Sequence, residues 1–372
     1  MPCYVVAVDE VFVSPPADRL PLQGVTPDCL ARAVPDLSLT EARRVIAQVH
    51  RDEDPATPSS GIRRTSREAV LAAGWVPQLE VAATRASQID PFVKFALRTH
   101  DGHVIETVRI PLERAGRFSV CVSSQVGCAL ACAFCATGRL GLLRNLEPWE
   151  IVEQVRVVRR SLRRDRTERV HGVVFQGMGE PMANLDRVLA AIEIMSEPSA
   201  LAIDARAITV CTSGLPTGIR RLAIDAPKVR LGLSIGSALR ETRRHLMPID
   251  RAHSMDDVLE ASIEHAALTG LSPMWAVTLL SGVNDSVEHA IALAELVARF
   301  RARCGRVPRV SVIPYNPIGT SPRGEGDPFE RSAESREAAF REALRERGVY
   351  THRRYSGGAD VAAACGQLAA RE

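Results

Sequence analysis

The sequence predicts an α/β protein: a partial (β/α)6 barrel, preceded by a small N-terminal α+β accessory domain and followed by a C-terminal active-site tail. Three observations lead there. From about Phe118 onward, six short apolar runs alternate with amphipathic segments, the pattern of parallel strands joined by right-handed helical crossovers. Ahead of that point, helical patterning gives way to a run that reads as a hairpin. Beyond residue 350 the periodicity stops and a glycine-bearing segment carries Cys365. The expected division is 1–112 for the accessory domain, 113–350 for the barrel and 351–372 for the tail.

In the accessory domain, 40–50 reads as an amphipathic helix with Ala42, Val45, Ile46 and Val49 on one face. The polar, proline-bearing stretch 52–60 reads as a loop. Runs 79–83 and 92–98 read as strands, and the turn Asp101-Gly102 leads into a partner strand at 104–110. The barrel strands are expected at 118–123, 172–176, 207–211, 229–235, 274–280 and 309–313. Pro308 stands just before the last, where its missing N–H harms no ladder. Helices are expected to begin near Pro148, Leu185, Leu215, Met255, Val287 and Ser332. Six such units make an incomplete barrel, with its chemistry in the loops after the strand C-termini.

Composition narrows the function. The chain has 372 residues, 46% of them hydrophobic, and a mean hydropathy of −0.02, enough to bury a large core. No run is long and apolar enough for a membrane span, and no basic segment followed by an apolar one opens the sequence. A cytoplasmic protein is expected. Nine cysteines, an odd number, fit a reducing compartment in which clustered Cys signals metal or catalysis. The net charge of +3 is too small to require a polyanionic partner, but lysine occurs only at Lys94 and Lys228, so nearly all 47 basic residues are arginine. Arginine suits bidentate phosphate recognition, and such a bias equally fits a GC-rich genome.

The most specific motif is Cys128-x₃-Cys132-x₂-Cys135. Three thiolates can hold a [4Fe–4S] cluster and leave one iron without a protein ligand, free to bind a small molecule and pass it an electron. The competing reading is structural zinc, with Cys121 as the fourth ligand. After the second barrel strand, Gly177-Met178-Gly179-Glu180-Pro181 lets backbone approach a ligand closely and offers Glu180 to an ammonium group. Met182 stands where a dinucleotide fingerprint needs its third glycine, and a plain tight turn is the alternative. The segment from Pro148 carries Arg156, Arg159, Arg160, Arg163, Arg164, Arg166 and Arg169 opposite a stripe of Ile151, Val155, Val158 and Leu162. It reads as a phosphate track or as a solvated outer helix, the latter favoured.

Taken together, the cysteine run with Cys121 ahead of it, Gly177–Pro181, Thr212-Ser213-Gly214, Met247-Pro248-Ile249, Pro314-Tyr315-Asn316-Pro317 and Ala364-Cys365-Gly366-Gln367-Leu368 resemble the RlmN/Cfr family of radical S-adenosylmethionine (SAM) RNA adenosine methyltransferases. The resemblance runs from about Gln88 to the C-terminus. It implies that SAM fills the open iron, that two SAM are used per turnover, and that a flavodoxin or ferredoxin supplies electrons. It carries over Cys365 as methyl acceptor, Cys121 as the thiol that resolves the product through a transient disulfide, and Glu106 as general base, where residue type alone favours a solvated strand carboxylate. SAM contacts carry over to Gly179, Glu180, Ser213, Ser234, Ile235, Gly236 and Asn316. Gly236 is a departure, because the family usually has Ser-Leu-His there. If backbone groups make those contacts the change matters little, and if an imidazole does it matters much.

The implied substrate is an adenosine in RNA, in 23S rRNA at C2 first and in tRNA second, bound with help from the accessory domain. C2 and C8 of adenine carry no nucleophilic lone pair, so a direct attack on the methyl of SAM is closed to them. Aromatics make up only 4% of the chain, which argues against broad stacking on a single strand and for flipping one base into the barrel mouth. Arg139 and Arg144, beside the cysteine loop, are the expected RNA contacts. Two alternatives stay open: a family member methylating C8 or another RNA site, and a non-catalytic RNA-binding or redox metal protein.

Overall fold

The structure is a computed structural model that describes residues 19–163, 167–320, 324 and 326–369; Cys3, Arg164 and Arg166 lie outside them. The described residues open with β1 (Leu20–Pro21) and three helices, α1 (Pro27–Ala33), α2 (Leu39–His50) and α3 (Arg64–Ala73), before β2 (Gly74–Trp75) pairs parallel with β1. A capping box starts α2: Ser38 accepts from the Glu41 N–H and Glu41 reaches back to Ser38. Its stripe of Ala42, Val45, Ile46 and Val49 is buried, in a small core with Leu22, Leu30 and Val70.

Next come β3 (Glu80–Ala86), β4 (Val93–Arg98) and β5 (Val104–Pro111), an antiparallel meander, then β6 (Arg117–Val122). The short hairpin β7 (Gln125–Cys128) and β8 (Gly141–Asn145) brackets the cysteine loop. Thereafter strands and helices alternate: α4 (Pro148–Arg160), β9 (Arg169–Phe175), α5 (Leu185–Ser196), β10 (Ile208–Thr212), α6 (Pro216–Asp225), β11 (Arg230–Ser234), α7 (Arg240–Leu246), α8 (Met255–Thr269), β12 (Met274–Leu279), α9 (Val287–Cys304), β13 (Arg309–Pro314), α10 (Glu334–Glu346) and β14 (Thr351–Arg353). Proline at the first turn of α4 and α6 leaves no helical hydrogen bond unmade. Glycines in the left-handed region, Gly270 and Gly305, end α8 and α9.

All six expected barrel strands are present, and β14 adds a seventh parallel strand that pattern reading missed because it is only three residues long. The sheet order is β14-β13-β12-β11-β10-β9-β6-β5-β4-β3, an open ten-stranded sheet rather than a closed barrel. The meander expected in the accessory domain belongs to this sheet. β5 pairs antiparallel with β6, matching Val108 to Cys121, and its apolar side chains join the main core. An edge at β6 would leave a row of unpaired backbone groups, and β5 covers it. Only the helical part before β3 has a core of its own.

That helical part docks on α4, and two of the arginines expected to track phosphate, Arg156 and Arg160, make the joint. Arg156 is buried, with Glu153 at 2.8 Å, Asp52 at 2.7 Å and the Val49 carbonyl at 2.9 Å. Arg160 binds Glu153 at 2.6 Å and Asp52 at 3.0 Å. Arg156 is closed to RNA, while Arg160, Arg163 and Arg169 are exposed, as a solvated outer face expects. Replacing Arg156 by Met strips a cation from the buried Glu153, and breaking a buried pair in this way costs about 3–5 kcal/mol. Urea unfolding should show that loss; a change below about 0.5 kcal/mol, the scale of ordinary surface substitutions, would show that the joint does not rest on this charge.

Candidate active site

The seven parallel strands point their C-terminal ends to one rim. The cysteine loop starts there. Gly127 (φ +78°) would place a Cβ 1.9 Å from the Gly141 carbonyl, so only glycine lets β7 and β8 close. Within the loop the Cys135 N–H donates to the Cys132 carbonyl at 3.1 Å and the Ala133 N–H to the Leu246 carbonyl at 2.9 Å. Burial pushes the Cys128 and Cys132 thiols up to about 12 and raises Cys135 as well, and each of the three feels at least one of the others, or Cys365, as a further like charge. Three adjacent thiols raised in this way ionise more readily beside a bound cation, and the donor set fits an iron–sulfur cluster. Among the described residues no three Cys, His, Asp or Glu groups close round one metal ion. The fourth zinc ligand is also missing: Cys121 lies on β6 and faces Cys365, Arg354 and Cys211 instead.

Glu180 is buried beside this loop. Its carboxylate accepts from the Met182 N–H at 3.0 Å and the Ser213 N–H at 2.8 Å, and its own N–H donates to Gln125 Oε1 at 2.8 Å. Burial raises its pKa, and those N–H donors work against the rise. Gly179 (φ +95°) brings the loop onto β7, where a Cβ would sit 2.5 Å from Gln125 Cβ. Ser213 is a junction: its Oγ is 3.8 Å from Cys132 Sγ and its carbonyl accepts from Arg243 Nη2 at 2.8 Å. Ser234 and Gly236 line the same cleft. Ile235 does not; its side chain is in the core, its N–H is bonded to the Ala276 carbonyl and its own carbonyl accepts from Arg243. Gly236 has φ +65°, where a side chain is strained, and a Cβ would lie 2.6 Å from Met247 Sδ, so an imidazole here would need Met247 to move. Asn316 turns away from the cleft toward the tail, donating to Ser356 Oγ at 2.7 Å and the Cys365 carbonyl at 3.3 Å.

Cys365 stands where two clefts meet. The larger, about 130 Å³, has Cys132, Cys135, Gly179, Glu180 and Ser213 in its wall; the smaller, about 50 Å³, has Cys121, Gln176 and Arg354. Burial pushes the Cys121 thiol up to about 12, with Arg354 opposing. Glu106 is fully buried on β5, 2.8 Å from Lys94 Nζ, and accepts from the Ala369 N–H at 2.7 Å. It is no solvated strand carboxylate. The eight described cysteines are all free, Cys121 and Cys365 included, so no standing disulfide joins them in this structure. Arg144 does not wait for RNA: Asp101 at 2.6 Å and Glu150 at 2.8 Å occupy its guanidinium. Arg139 reaches the Gly326 carbonyl at 3.2 Å.

Sequence reading missed Cys211, Arg354, Lys94 and Arg243. Lys94 alone left a signal, as one of two lysines in an arginine-rich chain. Arg243 is fully buried against Asp250 at 3.0 Å and bonds the carbonyls of Ser213, Ser234 and Ile235, tying the ends of β10 and β11 together.

An open parallel sheet with a three-cysteine loop and a Gly-Met-Gly-Glu loop on its C-terminal rim defines a radical SAM enzyme, and the family model described as the radical SAM superfamily matches residues 122–296. A probable RNA methyltransferase of Sorangium cellulosum is 57% identical over 350 residues, 90% of this chain and 88% of that protein. A dual-specificity RNA methyltransferase RlmN of Syntrophobacter fumaroxidans is 41% identical, covering 74% of this chain and 76% of its own length. The solved radical SAM methyltransferase from Sphaerobacter thermophilus superposes with a TM-score of 0.83 at 32% identity, over 95% of this chain and all of that one. The chain belongs to the RlmN/Cfr family of radical SAM RNA methyltransferases. Membership implies a [4Fe–4S] cluster, SAM and an RNA substrate. Among the described residues no helix is long and apolar enough to cross a membrane.

Two outcomes follow from the geometry. Gly179→Ala forces a left-handed alanine against Gln125, a strain of about 1–3 kcal/mol, and should weaken SAM binding by calorimetry about tenfold; unchanged affinity would detach this loop from the ligand. With its thiol pushed up to about 12, Cys121 is protonated at pH 8. Iodoacetamide should therefore modify it about a hundredfold or more slowly than exposed Cys29, as peptide mass spectrometry would show; equal rates would contradict the burial.

Proposed function

We propose that the protein methylates a ring carbon of adenosine in RNA, C2 in 23S rRNA first and tRNA second, through an S-methylated Cys365. The observation that carries this reading is the seat of Cys365 between a cleft walled by the cysteine loop and a cleft that holds Cys121. Mere RNA binding has no use for a thiol shared by both. Cys128, Cys132 and Cys135 would hold the cluster, with Gly179, Glu180, Ser213, Ser234 and Gly236 around SAM. Bound there, the pair supplies a one-electron cleavage that makes a radical able to remove hydrogen from a methyl group.

The chain's own residues divide the remaining work. Cys365 accepts a methyl group from a first SAM by displacement at carbon, its thiolate being the nucleophile. A second SAM serves the radical step, so two are used per turnover. Glu106 takes the proton from the substrate carbon. With the substrate ring carbon bonded to the carbon carried on the Cys365 sulfur, Cys121 attacks that sulfur and breaks its bond to this carbon, which keeps the electron pair and takes up a proton to become the new methyl group; the transient Cys121–Cys365 disulfide is then opened by a two-electron reductant. A flavodoxin or ferredoxin of the cytoplasm is the electron source that fits this scheme. Ile235 and Asn316, read as SAM contacts from the motif, act indirectly here, through core packing and through the tail.

Mass spectrometry of digested rRNA and tRNA from cells with and without the protein tests the reaction. Loss of 2-methyladenosine supports the reading, loss of the 8-methyl isomer moves the site to C8, and no change removes the activity. Cys121→Ala should accumulate a covalent RNA–protein adduct and slow turnover by about 100-fold or more, the range of a lost nucleophilic step. Normal turnover without adduct would rule out its resolving role.

A further inference from the structure

Lys94 on β4 and Glu106 on β5 face each other across the meander, diagonal to the Ala96–Glu106 pair of the ladder. Their charged atoms are 2.8 Å apart, and their side chains are 4% and 0% exposed. Each also holds the tail. Lys94 Nζ donates to the Ala362 carbonyl at 3.3 Å, and Glu106 Oε2 accepts from the Ala369 N–H at 2.7 Å. The pair thus grips both ends of the segment 362–369, with Cys365 inside it. A buried ion pair is stable only when further hydrogen bonds complete its geometry, and the tail backbone supplies two of them. Ion pair and docked tail therefore stabilise each other.

The same contacts close the carboxylate. Oε1 faces Lys94 and Oε2 carries the Ala369 N–H, and Glu106 is in the wall of neither cleft. The larger cleft, about 130 Å³, is below the roughly 300–1,000 Å³ of ordinary small-molecule sites, with Cys365 and Gly366 forming part of its wall. Admitting a flipped base beside SAM requires the tail to shift.

We infer that Lys94 is a positioning residue that couples the seat of the Cys365 segment to the availability of Glu106. With the tail docked, the carboxylate is covered; as Ala369 lifts, Oε2 opens toward the substrate while Lys94 keeps the carboxylate aligned. Loading of Cys365 with methyl needs no proton taken by Glu106, so its chemistry does not depend on how Lys94 aligns that carboxylate. The inference rests on the reading of Glu106 as general base.

The test uses the full-length, cluster-loaded enzyme and its RNA. Lys94→Met should raise deuterium exchange in 362–369 about tenfold. Methyl loading of Cys365, read by intact-mass spectrometry, should stay within about twofold, while kcat falls at least tenfold at nearly constant KM for RNA. Lys94→Arg should restore the tail's protection and most of kcat. It also serves if the Met variant does not fold, since its longer fork should then leave exchange low but shift the pH profile of kcat. Unchanged exchange in 362–369 together with kcat within twofold would overturn the inference. Glu106→Gln separates the two ideas: if it keeps full turnover, the base assignment fails, whereas the clasp between Lys94 and the tail stands or falls by the exchange data alone.

Discussion

The site depends on how the tail is held against the cysteine loop. The Ala136 N–H donates to the Gly366 carbonyl at 2.8 Å, and Thr137 Oγ1 donates to the Leu368 carbonyl at 2.6 Å. Both acceptors are backbone groups, so the contact is set by the path of the chain rather than by side-chain choice. It seats Cys365 beside Cys132 and Cys135 although more than two hundred residues separate them in sequence. Gly366 makes the approach possible at φ +86°, where a Cβ would lie only 3.3 Å from the Phe134 carbonyl. Asn316 and Gln367 hold the other side, through the carbonyls of Cys365 and Pro317.

Around that contact the interior is polar in an economical way. The fully buried Arg243 near the rim answers several acceptors at once. It pairs with Asp250 and gathers carbonyls from two strand ends; Arg354 donates to Gln176 at 2.9 Å, and Cys365 foremost raises its pKa against the opposing effect of burial. A planar guanidinium suits such multiple bonding better than an ammonium does. The arginine bias of the sequence therefore has uses inside the fold, at α4 as well as at the rim. In a low-dielectric interior, these charges stiffen loops that would otherwise be free to drift.

The meander has a chemical consequence. Because β5 pairs with β6, Glu106 enters the same sheet that carries Cys121, and Ser123 Oγ and Thr107 Oγ1 stitch the two strands at 2.6 and 2.7 Å. A residue that belongs by sequence to the N-terminal region thereby becomes part of the barrel's working edge. The helical unit ahead of it is tied on separately, by Arg156 and Arg160 to Asp52.

By itself the sequence determined the alternation of strands and helices, the three-cysteine loop and the loop that carries Glu180, because each is a local pattern: apolar periodicity, cysteine spacing, glycines where backbone must bend. It also marked Cys365 and Glu106, through motif resemblance rather than through local chemistry. What only the tertiary structure decided is which groups meet. The seventh strand was too short to carry a period, and the edge pairing of β5 with β6 is a non-local hydrogen-bond choice. The burial of Lys94 against Glu106, and the spending of Arg144, Arg156 and Arg160 on carboxylates, depend on residues far apart in the chain. Ile235 and Asn316 show the same limit: a motif names the residue, but the direction of its side chain follows from what the sheet and the tail pack against it.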